Sequence, residues 1–153
     1  MREEPAACPG SYRTDPAFIS SNPAEVLAAP SEIDSLVEKV FKYINETDDH
    51  PVEVITNVHA WLIRIHPFAD GNGRVIRLVL TFLAMNFGYT GIAFKCGVEE
   101  YFNAIRSWTE NPGSFGTLVL KELLEMSDLY EKARIAAERM AKMKSSKVFS
   151  IVR

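Results

Sequence analysis

Residues 65–77 read Ile65-His66-Pro67-Phe68-Ala69-Asp70-Gly71-Asn72-Gly73-Arg74-Val75-Ile76-Arg77. Each polar group in this stretch has a chemical use. An imidazole can take a proton near neutral pH. Gly71 and Gly73 reach backbone angles closed to other residues, so the N–H groups around Asn72 can converge on an anion. Arg74 is placed to open a helix, whose free N–H groups and positive dipole end would face the same spot. Arg74 and Arg77 are three apart and share a helical face, where two guanidiniums suit phosphate oxygens. A lone carboxylate from Asp70 fits badly beside phosphates, and a magnesium ion bridging the two resolves the conflict. Together the groups describe proton abstraction next to a bound polyphosphate.

Two helices must mount this loop. Pro51 suits a first helical position, and the apolar residues from Val52 to Ile65 predict a helix over 51–65. Pro67 should push His66 out of the α region into an extended conformation, projecting the imidazole into a cleft. The next helix is expected over 74–87. Both read as apolar nearly all round, which marks core helices. Before them, Ser31 is a suitable N-cap for a helix over 32–46, with Ile33, Leu36, Val37, Val40, Phe41 and Ile44 on one face. After them, 98–110 reads as a helix with Tyr101, Phe102, Ile105 and Trp108 on one side. Following the break at Asn111-Pro112-Gly113, a helix is expected from 115 to about 143, with room for a kink. The expected class is all-α.

Residues 1–30 form an arm punctuated by Pro5, Pro9, Gly10, Pro16, Pro23 and Pro30. Residues 11–14 and 17–20, around Asp15-Pro16, suggest a small hairpin. The arm, a core over 31–125 and a basic tail over 126–153 make one domain. Past Glu131 the tail carries Lys132, Arg134, Arg139, Lys142, Lys144, Lys147 and Arg153 against Glu138, which reads as a solvated helix rather than an anion-binding surface.

Composition excludes several classes. The chain has 153 residues, 47% of them hydrophobic, enough for one cored domain. A net charge of −3 gives no general argument for nucleic acid. Two cysteines make no disulfide scaffold, and the segment from Met1 carries no apolar signal region. No apolar run is long enough to span a bilayer. A cytoplasmic setting without membrane partners is therefore the expectation. The Gly-x-x-x-x-Gly-Lys-Ser/Thr phosphate loop is absent. His59 and His66 are seven apart with no close ligand pair, so zinc is not indicated, and His59 reads as a hydrogen-bonded core histidine. A purely structural loop with solvated arginines remains the plain alternative.

The stretch from His66 to Arg77 resembles the signature of the Fic (Fic/Doc) family, His-x-Phe-x-Asp/Glu-Gly-Asn-Gly-Arg-x-x-Arg, with every fixed position filled. The resemblance extends over about residues 10–120 and implies a Fic-type helical bundle. It implies an adenylyltransferase that moves AMP from ATP to a Ser, Thr or Tyr hydroxyl of a target protein. His66 would be the base, Asp70 the holder of Mg2+, and Gly71, Asn72, Gly73, Arg74 and Arg77 the nucleotide site. Tyr101 matches a tyrosine that lies against the base in relatives. Gly10-Ser11-Tyr12-Arg13 matches a hairpin flap that positions the target. Doc-type transfer of a single phosphate and a non-catalytic anion-binding module stay open as alternatives. Many Fic proteins also carry an inhibitory Ser/Thr-x-x-x-Glu-Gly/Asn helix whose glutamate pairs with the second arginine, here Arg77. The two loose matches are Ser21 to Glu25, which contains Pro23, and Ser127 to Glu131, which is followed by Lys132. Neither is convincing, so no strong internal brake is expected. Many relatives have further helices before the flap, so a fragment of a longer protein is a further expectation.

Overall fold

The computed structural model describes residues 10–18, 27–108 and 110–151, without the side chains of residues 112 and 141–151. Five helices follow a single 3-10 turn at Pro30–Glu32: α1 (Ile33–Glu46), α2 (Pro51–Ile65), α3 (Asn72–Asn86), α4 (Val98–Ser107) and α5 (Pro112–Ile151). Among the described residues there is no strand, as the all-α expectation requires.

The helix α2 is the axis. It packs against α1, α3 and α5, while α4 lies on α5. Val54, Ile55, Val58, His59 and Ala60 are all at most 1% exposed. Its start is fixed by Pro51 at the first position and by His50 Nδ1, which accepts from the Val52 N–H at 3.3 Å. Its bounds agree with those expected from the sequence.

The other elements differ in detail. Ser31 does not cap α1. The 3-10 turn precedes it, and the Glu32 carboxylate reaches back to the Ala29 N–H at 3.0 Å. The expected core helix α3 is buried on one side only. Ile76, Leu80, Leu83 and Ala84 face the core, whereas Leu78, Phe82 and Met85 are 71%, 64% and 59% exposed. One neighbouring helix can cover only one face, whatever the hydropathy of the other.

The helix α5 begins at Pro112, whose missing N–H is no loss at a first position, and runs on without a break. Phe115, Val119, Glu122 and Leu123 are at most 1% exposed, and residues 128–140 are exposed. The buried Glu122 carboxylate accepts the Lys95 and Cys96 N–H groups at 3.0 and 3.1 Å, tying the loop before α4 to α5. Among the described residues no helix is long and apolar enough to cross a membrane.

Candidate active site

The loop between α2 and α3 gathers the residues singled out by type and spacing. Pro67 does not make His66 extended. His66 caps α2 in the left-handed region, at φ 47° and ψ 59°, with its N–H donating to the Leu62 carbonyl at 3.0 Å. A residue before proline is kept out of the right-handed helical region, and here the left-handed alternative ends the helix while preserving one last helical bond. Histidine is among the side chains that visit this region more readily.

The side chain of Asn72, 4% exposed, is a staple rather than a ligand for an anion. Its Oδ1 accepts the Phe68 N–H at 2.9 Å and its Nδ2 donates to the Phe68 carbonyl at 2.6 Å. Asn72 could therefore serve a bound group only through its backbone. Gly71 caps α3 at φ 82°, an angle that asks for glycine, and its carbonyl accepts both the Arg74 and Val75 N–H groups at 3.0 Å. The helix starts at Asn72, two residues earlier than expected. That leaves the Asn72 and Gly73 N–H groups at its open end, where helical geometry gives them no partner.

Both guanidiniums fold over this open end. Arg74 Nη2 lies 3.4 Å from the place a Cβ on Gly71 would occupy, and Arg77 Nη1 3.3 Å from that on Gly73. Arg74 also pairs with Asp70 at 3.2 Å, both side chains being about three-quarters exposed. His66, Ala69 and Asp70 complete a bowl of about 290 Å³ with Gly71, Asn72, Gly73, Arg74 and Arg77.

His66 stands at the wall between this bowl and a second cavity of about 620 Å³, lined by residues 11–18 together with His66 and Ala69. Its Nδ1 is buried, which leaves Nε2 as the ring nitrogen able to reach a proton. Burial holds the imidazole below the usual histidine range and the Arg13 charge adds to this, while the Ile63 carbonyl pulls the other way.

The arm is not a hairpin over its described residues. Residues 10–18 form turns and bends, and 19–20 of the expected second strand lie outside the described residues. Its backbone is pinned instead to the loop, with the Arg13 N–H donating to the Pro67 carbonyl at 2.9 Å. Tyr12 packs on Phe68 at 5.8 Å between ring centres, Ser11 lines the second cavity, and Gly10 turns at φ 83° outside it. Arg13 is buried, contrary to a flap residue reaching toward a target.

Tyr101 does not line the bowl. Its hydroxyl meets His59 Nε2 at 2.7 Å, and both rings pack against Phe94. Burial pushes the phenol well above its usual range and drops His59 to about 3, and the Arg77 charge acts on both groups. His59 is thus a hydrogen-bonded core histidine, as its setting in α2 suggested. The sequence reading missed its pairing with Tyr101, the Glu122 tie and the inward course of Arg13. A buried acid in the apolar stripe of α5 was the one available signal.

The donor set fits a polyphosphate with a divalent cation. The bowl offers two guanidiniums, helix-end amides and one solvent-facing carboxylate, and a magnesium site commonly uses one carboxylate with phosphate oxygens. Among the described residues no cluster of three or more His, Cys, Asp or Glu could hold a metal alone, so Asp70 would need the phosphates as co-ligands.

The left-handed His66 thus stands between the bowl and a second cavity, on a helical bundle. Residues 1–84 match the Fic/DOC family, and the chain belongs to that family. It is similar to the protein adenylyltransferase Fic of Drosophila persimilis, 31% identical over 101 residues, or 63% of this chain and 19% of that protein. The protein adenylyltransferase Fic of Nematostella vectensis is 30% identical over 89 residues, covering 56% of this chain and 20% of that one. The chain therefore spans about a fifth of the length of these relatives. Among solved structures, Fic-1 from C. elegans superposes with a TM-score of 0.66 at 23% identity, over 82% of this chain and 38% of that one. A Fic domain containing signaling protein from Bacteroides thetaiotaomicron gives 0.57 at 25%, over 80% and 50%.

Proposed function

We propose that this protein is an adenylyltransferase that moves AMP from ATP to a hydroxyl of a target protein. The observation that carries the reading is the place of His66, on the wall shared by the phosphate bowl and the arm-side cavity. ATP phosphates are held by the Asn72 and Gly73 amides and by Arg74 and Arg77, whose guanidiniums suit phosphate oxygens. The target's Ser, Thr or Tyr enters from the arm side. His66 Nε2 takes the hydroxyl proton as the oxygen attacks the α-phosphorus. The bond from that phosphorus to the bridging oxygen breaks, and pyrophosphate leaves with the electron pair. Binding the phosphates breaks the Arg74–Asp70 pair and frees both partners. Asp70 would hold Mg2+ together with phosphate oxygens, and the ion would supply charge neutralisation there. The protein contributes position and charge, as expected for phosphoryl chemistry. A cytoplasmic setting suits ATP as donor and a protein as acceptor.

The test is incubation with α-labelled ATP, magnesium and a lysate, with γ-labelled ATP in parallel. Protein-bound label from the α position only, lost in His66→Ala and in excess chelator, is the expected result. Label from the γ position would favour single-phosphate transfer. ATP binding with no label in any protein would leave an anion-binding module.

A further inference from the structure

Arg13 is 6% exposed, and its hydrogen bonds all go to backbone carbonyls. Its Nε donates to His66 O at 2.7 Å, Nη1 to Asp15 O at 2.8 Å, and Nη2 to Ile65 O at 3.2 Å and to Ala28 O. Its own N–H adds the bond to Pro67 O at 2.9 Å. The acceptors thus include three consecutive carbonyls, from Ile65 through Pro67. Ile65 ends α2, where unpaired carbonyls carry the negative end of the helix dipole, so a buried cation there is well matched. His66, the middle residue, is the one non-glycine residue with positive φ among the described residues. Of the five guanidinium N–H donors, two are committed to the Ile65 and His66 carbonyls and two to those of Asp15 and Ala28, which leaves little for an outside ligand.

We propose that Arg13 is a positioning residue for the transfer reaction: by clamping the carbonyls of Ile65, His66 and Pro67, it holds His66 in the left-handed conformation that sets its ring between the two cavities. The arm is then a brace for the base, fastened at Arg13 and again where Ala28 returns to α2 through its N–H to the Arg64 carbonyl at 3.0 Å. Arg13 touches neither the phosphate bowl nor the reacting atoms, so its effect passes through His66. The inference rests on the reading of His66 as the base. Lysine cannot replace the clamp, because a compact ammonium lacks the planar fork that serves several carbonyls at once.

The experiment compares wild type, Arg13→Lys and Arg13→Ala. Transfer from α-labelled ATP, ATP binding and thermal melting are measured on each. Arg13→Lys keeps the charge and the aliphatic stem; it should melt cooperatively and bind ATP within about threefold of wild type, since no Arg13 atom lines the bowl. Its kcat should fall at least about tenfold, near 1.4 kcal/mol at the transition state. Methylguanidinium added to Arg13→Ala should restore part of the rate, and methylammonium should not. A kcat for Arg13→Lys within twofold of wild type overturns the assignment. So does a loss confined to ATP affinity, or failure of Arg13→Lys to fold, which would make the role structural only. The His66 ring resonances of the ligand-free protein separate this inference from the reading beneath it. If wild type transfers nothing, the proposed activity fails, while shifted His66 resonances in Arg13→Lys still support the clamp and unchanged ones sink it.

Discussion

The guanidinium of Arg77 lies over the Cα of Gly73, with Nη1 3.3 Å from where a Cβ would stand. Gly73 is the second residue of α3, so its lack of a side chain is not needed for a turn. It leaves room for Arg77 to fold back over the helix end, beside the amides that the proposed phosphate site would use.

Gly73→Ala should therefore separate stability from binding. Alanine favours the helix over glycine by roughly 0.5–1 kcal/mol, and only the mobile end of Arg77 must move to admit it. Thermal melting should be unchanged or slightly raised. ATP affinity should fall about tenfold, near 1.4 kcal/mol, because Arg77 is displaced from the anion. Titration calorimetry beside a melt checks both. Unchanged affinity would mean that Arg77 does not serve the phosphates.

The pH profile of transfer should follow His66. Burial and the Arg13 charge hold its imidazole below the ordinary histidine value. The base is neutral above that lowered pKa, so kcat/KM should stay level through neutral pH. It should fall only in more acid solution, as Nε2 takes up a proton. An acid limb centred at or above about pH 6.5, the ordinary histidine value, would contradict this.

His59 should make the fold sensitive to acid. Its folded pKa is about 3 through burial and the Arg77 charge. Its unfolded value is the ordinary histidine one, about 6.5. The unfolded chain thus binds a proton first as pH falls. Stability is fully present above about pH 6.5 and is lost as pH drops toward 3, by about 1.4 kcal/mol per pH unit. Between pH 6.5 and 5 the loss from His59 should be about 2 kcal/mol. Urea unfolding of wild type and His59→Gln at both pH values measures it as the difference in slope. Equal slopes would show that His59 is protonated in the fold.

Glu131→Gly should change the rate of transfer by less than about fivefold, or roughly 1 kcal/mol. The Glu131 carboxylate is spent on Arg134, at 2.7 and 2.8 Å, in the exposed part of α5. It does not pair with Arg77 as an inhibitory glutamate would. Ser21 to Glu25, the other loose match, lies outside the described residues. A hundredfold rise in Glu131→Gly would expose a brake that this conformation hides.

The sequence made α2 and the grouping from His66 to Arg77 legible, because proline, glycine and residue spacing act locally. Other features depended on distant partners. Arg13 could not be placed from its own neighbourhood, since two of its acceptors are carbonyls 52 and 53 residues away and every residue carries a carbonyl. Asn72 looked like part of an anion nest. Its amide is used on Phe68 because both backbone groups of that residue fall within its reach. The extended His66 failed because the proline rule excludes one region without choosing between those that remain. The exposed row on α3 failed because hydropathy states what a face prefers, not whether a neighbour exists to cover it.

Beyond Leu123, α5 leaves the core and continues as helix to Ile151. Residues 128–140 are exposed and rest on the helix's own hydrogen bonds and on pairs such as Asp128–Lys132 and Glu131–Arg134, which contribute little against fraying. The molecule therefore has two tiers of cohesion along one continuous helix. Amide protons of α2 should exchange with solvent only when the whole domain opens, whereas those of the overhang should exchange almost freely. On heating, helical signal should drain away well before the core gives way, so ellipticity at 222 nm will report the overhang first and the domain second.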